Sequence, residues 1–386
     1  MRIGLAMNAL KGSVEALAAV AALQRGFEAS RLACTCLPMP LADGGDGTLA
    51  VVLAQSGGTP QQVPVQNALG EPIEATYALL PDGQTALVEM ARASGLAQLG
   101  GRQDVLRASS AGTGELIRDA LNLGVRRVVL GVGGSATVDG GMGCLRALGV
   151  GFLDAEGHPL PEGGGSLDQL ARIEPVALPP GVQLEVLCDV TNPPIGEQGA
   201  ARIYAPQKGA GPAEVERLEH NLAHYFALIA RTTGQDVREL PGGGAAGAIA
   251  GGLAALLGAQ LVPGAPTLIE LLGYAAEVPT CDLIITGEGA IDAQTQFGKA
   301  PAAIAKVAEA HGVPVIALGG LCRQAAPMFR PLPPFFDCAG SGGAGRSAGQ
   351  GRGMARSHRL PLGQYAGTGP ATLTFLTALE EGMQHV

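Results

Sequence analysis

Lysine is scarce in a chain that carries most of its positive charge on arginine: Lys11, Lys208, Lys299 and Lys306 are the only lysines among 25 basic residues. Three of them adjoin glycine, as Lys11-Gly12, Lys208-Gly209 and Gly298-Lys299, in segments that read as turns. A compact ammonium beside a residue with no side chain can approach phosphate or carboxylate oxygens closely. Lysines on solvated turns are the plainer alternative. Among the acids, Asp43 and Asp46 stand three apart in Ala42-Asp43-Gly44-Gly45-Asp46-Gly47-Thr48. Two carboxylates among glycines suit Mg²⁺ or a substrate hydroxyl, whereas an Asx-turn with an Asp helix cap would explain one of them without a ligand. Asp189 follows the strand-like Gln183 to Leu187 and opens Asp189-Val190-Thr191-Asn192-Pro193-Pro194, a position suited to a general base.

Glycine-rich segments supply the backbone for such chemistry. Asn8-Ala9-Leu10-Lys11-Gly12-Ser13 runs into a helical pattern, whose free N–H groups favour anions, and Ser13 can cap that helix or touch a ligand. Gly131-Val132-Gly133-Gly134-Ser135-Ala136-Thr137-Val138-Asp139-Gly140-Gly141 begins with a G-x-G-x-x-A pattern, and Asp154 follows about 20 residues later. That pairing admits a dinucleotide-binding turn and an NAD(P)-dependent oxidoreductase, although polar Ser135, Thr137 and Asp139 prolong the loop beyond what a pyrophosphate turn needs. Thr286-Gly287-Glu288-Gly289-Ala290-Ile291-Asp292 carries two further acids, with Gln294, Thr295, Gly298 and Lys299 after it. No Walker A pattern occurs. His220 and His224 lie four apart on a helical stretch with no third zinc ligand, and no Ser-His-Asp or Cys-His spacing stands out.

The elements that must hold these loops are short β-type runs, each followed by a turn and a helical pattern, the signature of βα units around a parallel sheet. Strands are expected at Arg2 to Met7, Thr35 to Leu41, Arg126 to Leu130 and Asp282 to Ile285, and a helix through Leu17, Val20, Leu23 and Phe27. Each loop then falls at a strand's carboxyl end, where open α/β sheets bind ligands. At 386 residues the chain exceeds one core, so two α/β domains with mainly parallel sheets, Rossmann- or flavodoxin-like, are expected. The similarity of the first and last units suggests a discontinuous domain, 1–65 plus 281–386, interrupted by an inserted one, 66–280.

Composition narrows the function. Apolar residues make up 47% and charged residues 15%, which suits buried sheet, and a net charge of −9 argues against nucleic acid. Seven cysteines at irregular spacing make neither a disulfide framework nor a zinc site, so Cys34 and Cys36 read as ordinary thiols. The uncharged stretch Pro241 to Ile269 is mostly Ala and Gly and reads as a buried helix of roughly 15 residues, too short for a membrane span. With no signal-peptide core after Met1, a cytoplasmic location without membrane association is expected. From Cys338 through Leu379 there is no Asp or Glu and no periodicity, which reads as a flexible linker or an aberrant terminus.

Taken together the segments resemble the glycerate kinase family. The resemblance runs from Met1 to about Asp337 and rests on Leu10-Lys11-Gly12-Ser13, Ala42 to Thr48, Gly112-Thr113-Gly114-Glu115-Leu116-Ile117, Gly133 to Thr137, Cys188 to Pro193, Pro206-Gln207-Lys208-Gly209 and Ile285 to Gly289. It implies ATP-dependent phosphorylation of D-glycerate to 2-phosphoglycerate in a cleft between two domains, with Mg²⁺. On that reading Lys11, Asp43, Asp189 and Lys208 are catalytic, and Asp43 and Asp46 hold metal. Asn8, Ser13, Asp46, Thr191, Asn192 and Lys299 bind substrate. Gly133, Gly134, Ser135, Thr137, Thr286, Gly287 and Glu288 cradle the nucleotide. Lys11, Lys208 and Lys299 would meet phosphate or the glycerate carboxylate, and Asp189 would take the hydroxyl proton. Asn8 stands where the family usually has Asp, and Val138 where it usually has Asn, so a homologue that binds ligand without turnover is a further alternative. The reading leaves room for a homodimer.

Overall fold

The structure is a computed structural model that describes residues 1–291 and 299–322. The expectations about Asp292, Gln294, Thr295, Gly298 and the Cys338 to Leu379 stretch lie outside the described residues. The chain forms two compact units, Met1–Ala42 with the described residues from Ile269 onward, and Asp43–Leu268.

The first unit opens with β1 (Arg2–Met7) and β2 (Thr35–Pro38). The second contains β3 (Thr59–Gln66), β4 (Pro72–Leu79), β5 (Thr85–Glu89), β6 (Arg127–Gly131), β7 (Gly151–Leu153), β8 (Arg172–Glu174), β9 (Gln183–Leu187) and β10 (Gln260–Val262). The chain then returns to the first unit with β11 (Leu283–Ile291) and β12 (Val315–Cys322). The fold is mixed α/β with mainly parallel sheets.

In the first unit the order is β12-β11-β1-β2, every pair parallel. Ile3, Leu5, Met7, Val20, Phe27 and Ile285 form its core. β1 tolerates Gly4 because Ile284 fills its space: a methyl there would lie 2.5 Å from Ile284 Cδ1. In the second unit the order is β10-β9-β6-β5-β4-β3. β5, β6, β9 and β10 are parallel, while β3 and β4 add an antiparallel hairpin. All five residues of β5, Thr-Ala-Leu-Val-Glu, are buried, as expected of a parallel strand covered on both faces. Val88, Val128, Leu130, Val186, Leu116 and Phe226 build the core there.

Several expectations are corrected. Ser13 does not cap the first helix, which spans Ala16–Ala29 with Glu15 at the cap position and no side-chain cap bond. Leu10 and Val14 instead exchange backbone bonds of 2.8 and 3.0 Å, closing a tight turn that delays the helix. β2 ends at Pro38 rather than Leu41. Thr286 to Gly289, read as a loop, belong to β11, which stays paired with β12 as far as Ile291↔Cys322. Gly287 permits this, since a methyl there would lie 2.1 Å from the Leu318 carbonyl oxygen.

The uncharged Ala/Gly stretch forms a 13-residue helix, Ala245–Leu257, and among the described residues no helix is long and apolar enough to cross a membrane. Its first turn is left-handed at Ala246, Gly247 and Ala248, with φ of 52°, 73° and 69°. A left-handed conformation costs roughly 1–2 kcal/mol at a non-glycine residue. The conformation is held where Gly140 N–H donates to Gly247 O (3.0 Å), and a methyl on Gly247 would lie 2.0 Å from Thr137 O. The helix therefore buttresses the glycine-rich loop after β6.

Candidate active site

In the second unit three of the expected loops meet at the carboxyl ends of its parallel strands. Asp43 to Thr48 folds on itself: Gly44 and Gly47 both take φ of 90°, and Thr48 Oγ1 accepts from Gly44 N–H (3.2 Å) while donating to Gly45 O (2.7 Å). Asp43 Oδ1 accepts from Gly45 N–H (3.1 Å), the Asx-turn foreseen as the plain alternative. No Asp caps the following helix, Thr48–Ser56, whose cap position is Gly47. Its first amides go to Glu89 at the end of β5, from Gly47 at 3.3 Å and Leu49 at 2.8 Å.

The loop after β6 lies directly against this one. Gly133 N–H donates to Gly44 O at 3.1 Å, and a methyl on Gly133 would lie 2.5 Å from Gly45 Cα. Gly134, with φ of 69°, leaves space for the Asp46 carboxylate, which a methyl would meet at 2.2 Å. Gly133 is thus explained by the close approach of two backbones, and Gly134 by its left-handed φ and the Asp46 side chain against it.

Behind the loop is a buried charged core. Lys208 is 3% exposed, and its Nζ donates to Ser135 Oγ (2.8 Å) and Thr137 O (2.7 Å). Burial pulls its pKa down to about 7 against the opposing attraction of Asp139. Asp139 is fully buried and accepts from Ser110 N–H (2.9 Å), Ser110 Oγ (2.7 Å), Gly141 N–H (3.1 Å) and Gly143 N–H (3.2 Å). Burial raises its pKa despite those donors. Thr137 Oγ1 is buried without a hydrogen-bond partner among the described residues.

Asp189 follows β9. Its Oδ1 accepts from Gly264 N–H at 2.8 Å. The residue as a whole is exposed, but its carboxylate is crowded by protein, and that desolvation, with the nearby negative charge of Asp43, pushes its pKa up to about 6. Gly264 separates the two acids: a methyl there would lie 2.1 Å from Asp43 O and 2.8 Å from Asp189 Oδ2. Gly264→Ala is therefore expected to displace Asp43 or Asp189 and to lower kcat/KM at least tenfold in a folded protein, checked by steady-state kinetics beside circular dichroism. Asn192 uses both ends of its amide within the protein, donating to Gln198 O (2.8 Å) and accepting from Tyr204 OH (2.6 Å), while Thr191 is exposed.

The first unit carries its own set at the ends of β1 and β11. Asn8 N–H donates to Gly287 O (2.9 Å), and the buried Asn8 side chain accepts from Ala9 N–H (2.8 Å). Lys11 and Ser13 are exposed, with Gly289 against the Lys11 backbone. Glu288, 8% exposed, faces Lys299 Nζ at 3.8 Å. Thr286 is buried and donates to Ala6 O (2.7 Å), so it and Gly287 are integrated into the sheet.

The dinucleotide alternative loses its acid. Asp154 follows β7, which pairs antiparallel with β8 in a separate two-stranded sheet, and its carboxylate accepts the Glu156 and His158 amides. A ribose-binding acid belongs at the end of a parallel strand beside the glycine turn. His224, on the helical stretch read as lacking a third zinc ligand, is half-buried, with Nε2 2.7 Å from Leu170 O. Sequence reasoning passed over Glu89, Asp139 as a loop anchor, and Gly264. A lone acid ending the apolar run Thr85-Ala-Leu-Val-Glu89 was the available signal for the first.

Glycine loops and carboxylates gathered where parallel strands end give the chain the architecture of an α/β enzyme with its candidate site at the strand ends. The chain belongs to the glycerate kinase family: the family model matches residues 3–331. It is 42% identical over 326 residues to a glycerate kinase of Halalkalibacterium halodurans, covering 83% of this chain and 86% of that one. It is 40% identical over 324 residues to the glycerate 2-kinase of Escherichia coli K12, covering 83% and 85%. A crystal structure of a protein designated glycerate kinase 2 from Salmonella typhimurium LT2 superposes with a TM-score of 0.76 at 41% identity, covering 84% of this chain and 90% of that one.

Proposed function

We propose that the protein phosphorylates D-glycerate with ATP, giving 2-phosphoglycerate and ADP. The observation that carries the reading is Asp189 in a chain similar to a glycerate 2-kinase: its carboxylate is held by the Gly264 amide at 2.8 Å, and desolvation with the negative charge of Asp43 raises its pKa to about 6, suiting a base at neutral pH. Asp189 takes the proton of the 2-hydroxyl as its oxygen bonds to the γ-phosphorus, and the bond to the ADP oxygen breaks. Phosphoryl transfer demands alignment and charge neutralisation more than covalent help. Lys11 and Lys299 serve the anionic groups, with Asn8, Ser13, Thr191 and Asn192 as further substrate contacts. The Gly133 to Thr137 loop, backed by Lys208, and Glu288 serve the nucleotide, with Thr286 and Gly287 supporting Glu288 from within the strand.

Among the described residues no group of three or more His, Cys, Asp or Glu could hold a metal ion. Magnesium commonly uses one or two carboxylates, with phosphate oxygens and water completing its octahedron. Asp43 and Asp46 fit that demand, and the ion would offset phosphate charge. A cytoplasmic setting, where ATP and Mg²⁺ are both present, is part of the proposal.

The test is to incubate the full chain with D-glycerate and MgATP, coupling ADP release and identifying the product by ³¹P NMR. 2-Phosphoglycerate is expected. Formation of the 3-phosphate would overturn the regiochemistry, and ATP binding without ADP release would overturn the activity.

A further inference from the structure

We infer that Glu89 is a positioning residue for phosphoryl transfer, holding the Asp43–Asp46 loop in its working conformation from the end of the adjacent strand. This rests on the kinase reading above. Glu89 is 2% exposed and pairs in register with Gly131, so it sits beside the start of the glycine-rich loop after β6. A carboxylate so deeply buried is costly unless its oxygens are used. Both are: Oε1 accepts from Gly47 N–H at 3.3 Å and Oε2 from Leu49 N–H at 2.8 Å. Arg92 Nε, 3.7 Å from Oε1, supplies an opposing charge.

Those amides belong to the first turn of the helix Thr48–Ser56, which has no side-chain cap of its own. Helix starts leave such donors without intrahelical acceptors, and an acid near them is favoured by the helix dipole. Glu89 thus supplies from a neighbouring strand the cap that Gly47 lacks. Gly47 adjoins Asp46, and only two residues further back Gly44 O accepts the Gly133 amide. One buried carboxylate therefore sets the pitch at which the loop carrying Asp43 and Asp46 enters its helix. The role acts through that loop, because Glu89 is closed off from any ligand.

The test compares wild type, Glu89→Gln and Glu89→Asp on three readouts. Glu89→Gln keeps shape but turns one acceptor into an NH₂ group facing a backbone N–H, and Glu89→Asp keeps the charge but withdraws it. In folded protein, kcat is expected to fall about 10- to 100-fold in Glu89→Gln, with KM for ATP changed less than threefold, since misplacing catalytic groups by about 1 Å costs that much. Hydrogen exchange at the Gly47 and Leu49 amides is expected to quicken at least tenfold in the same variant, with partial recovery of both readouts in Glu89→Asp. A merely structural role would lower the thermal midpoint while leaving kcat per folded molecule at the wild-type value, and that result overturns the inference. Unchanged exchange at both amides overturns it as well. A wild type that does not turn over D-glycerate would instead remove the kinase reading, a failure distinct from an active wild type matched by its variant.

Discussion

Asp189→Asn is expected to lower kcat about 10²- to 10⁴-fold, the usual contribution of a general base, while the affinity for ATP changes less than threefold. Asparagine keeps an oxygen to accept the Gly264 amide, so the 2.8 Å bond that anchors the residue survives and the lost property is basicity. The pH profile supplies the sign. Burial and the charge of Asp43 raise the Asp189 pKa to about 6, and the base works only as the carboxylate. In wild type kcat should therefore rise with pH up to about 6 and then level, and that acid limb should vanish in Asp189→Asn. An asparagine variant with near wild-type kcat and the same limb would take Asp189 out of the base role. Isothermal titration with a non-hydrolysable ATP analogue separates lost chemistry from lost binding.

Lys208→Met is expected to cost about 1–3 kcal/mol of stability, the penalty for leaving buried acceptors without their donor. Methionine fills most of the space but cannot donate to Ser135 Oγ and Thr137 O, which Lys208 Nζ holds at 2.8 and 2.7 Å. Asp139 then keeps its four donors but loses the opposite charge. Its folded-state pKa is already raised by burial, so the folded protein binds this proton more tightly than the unfolded chain does. That contribution favours the folded state at low pH and is lost as pH rises above the ordinary carboxylate range of about 4. Removing the nearby cation raises the Asp139 pKa further, so the deficit of Lys208→Met should widen as pH rises above about 4, read from urea midpoints at matched ionic strength. A constant deficit of less than about 1 kcal/mol would show that the ammonium is not the counter-charge of Asp139.

The legible part of the fold was the part written in uninterrupted apolar runs. β1 and β6 stand out because strands covered on both faces must be apolar nearly throughout, whereas β9 shows as the alternation Gln183-Leu-Glu-Val-Leu. The β3–β4 hairpin was missed, because Pro60, Gln61, Gln62 and Pro64 make β3 look like a linker. Prolines are accepted where a strand lies at a sheet edge, as β3 does. Glycine misled in β11, where it serves a close strand-to-strand approach and not a turn.

Residue types and their order were enough to establish an α/β chain, to put Asp43, Asp46 and Asp189 in loops and Lys11, Lys208 and Lys299 in turns, and to show the family resemblance, since periodicity and short motifs are local properties. What those residues touch is non-local and emerged only with packing. Lys208 lies behind the Ser135–Thr137 loop, Gly264 divides Asp43 from Asp189, and Glu89 caps a helix more than thirty residues earlier. No spacing rule encodes such contacts, because each depends on which strand ends become neighbours when the sheet closes over its core.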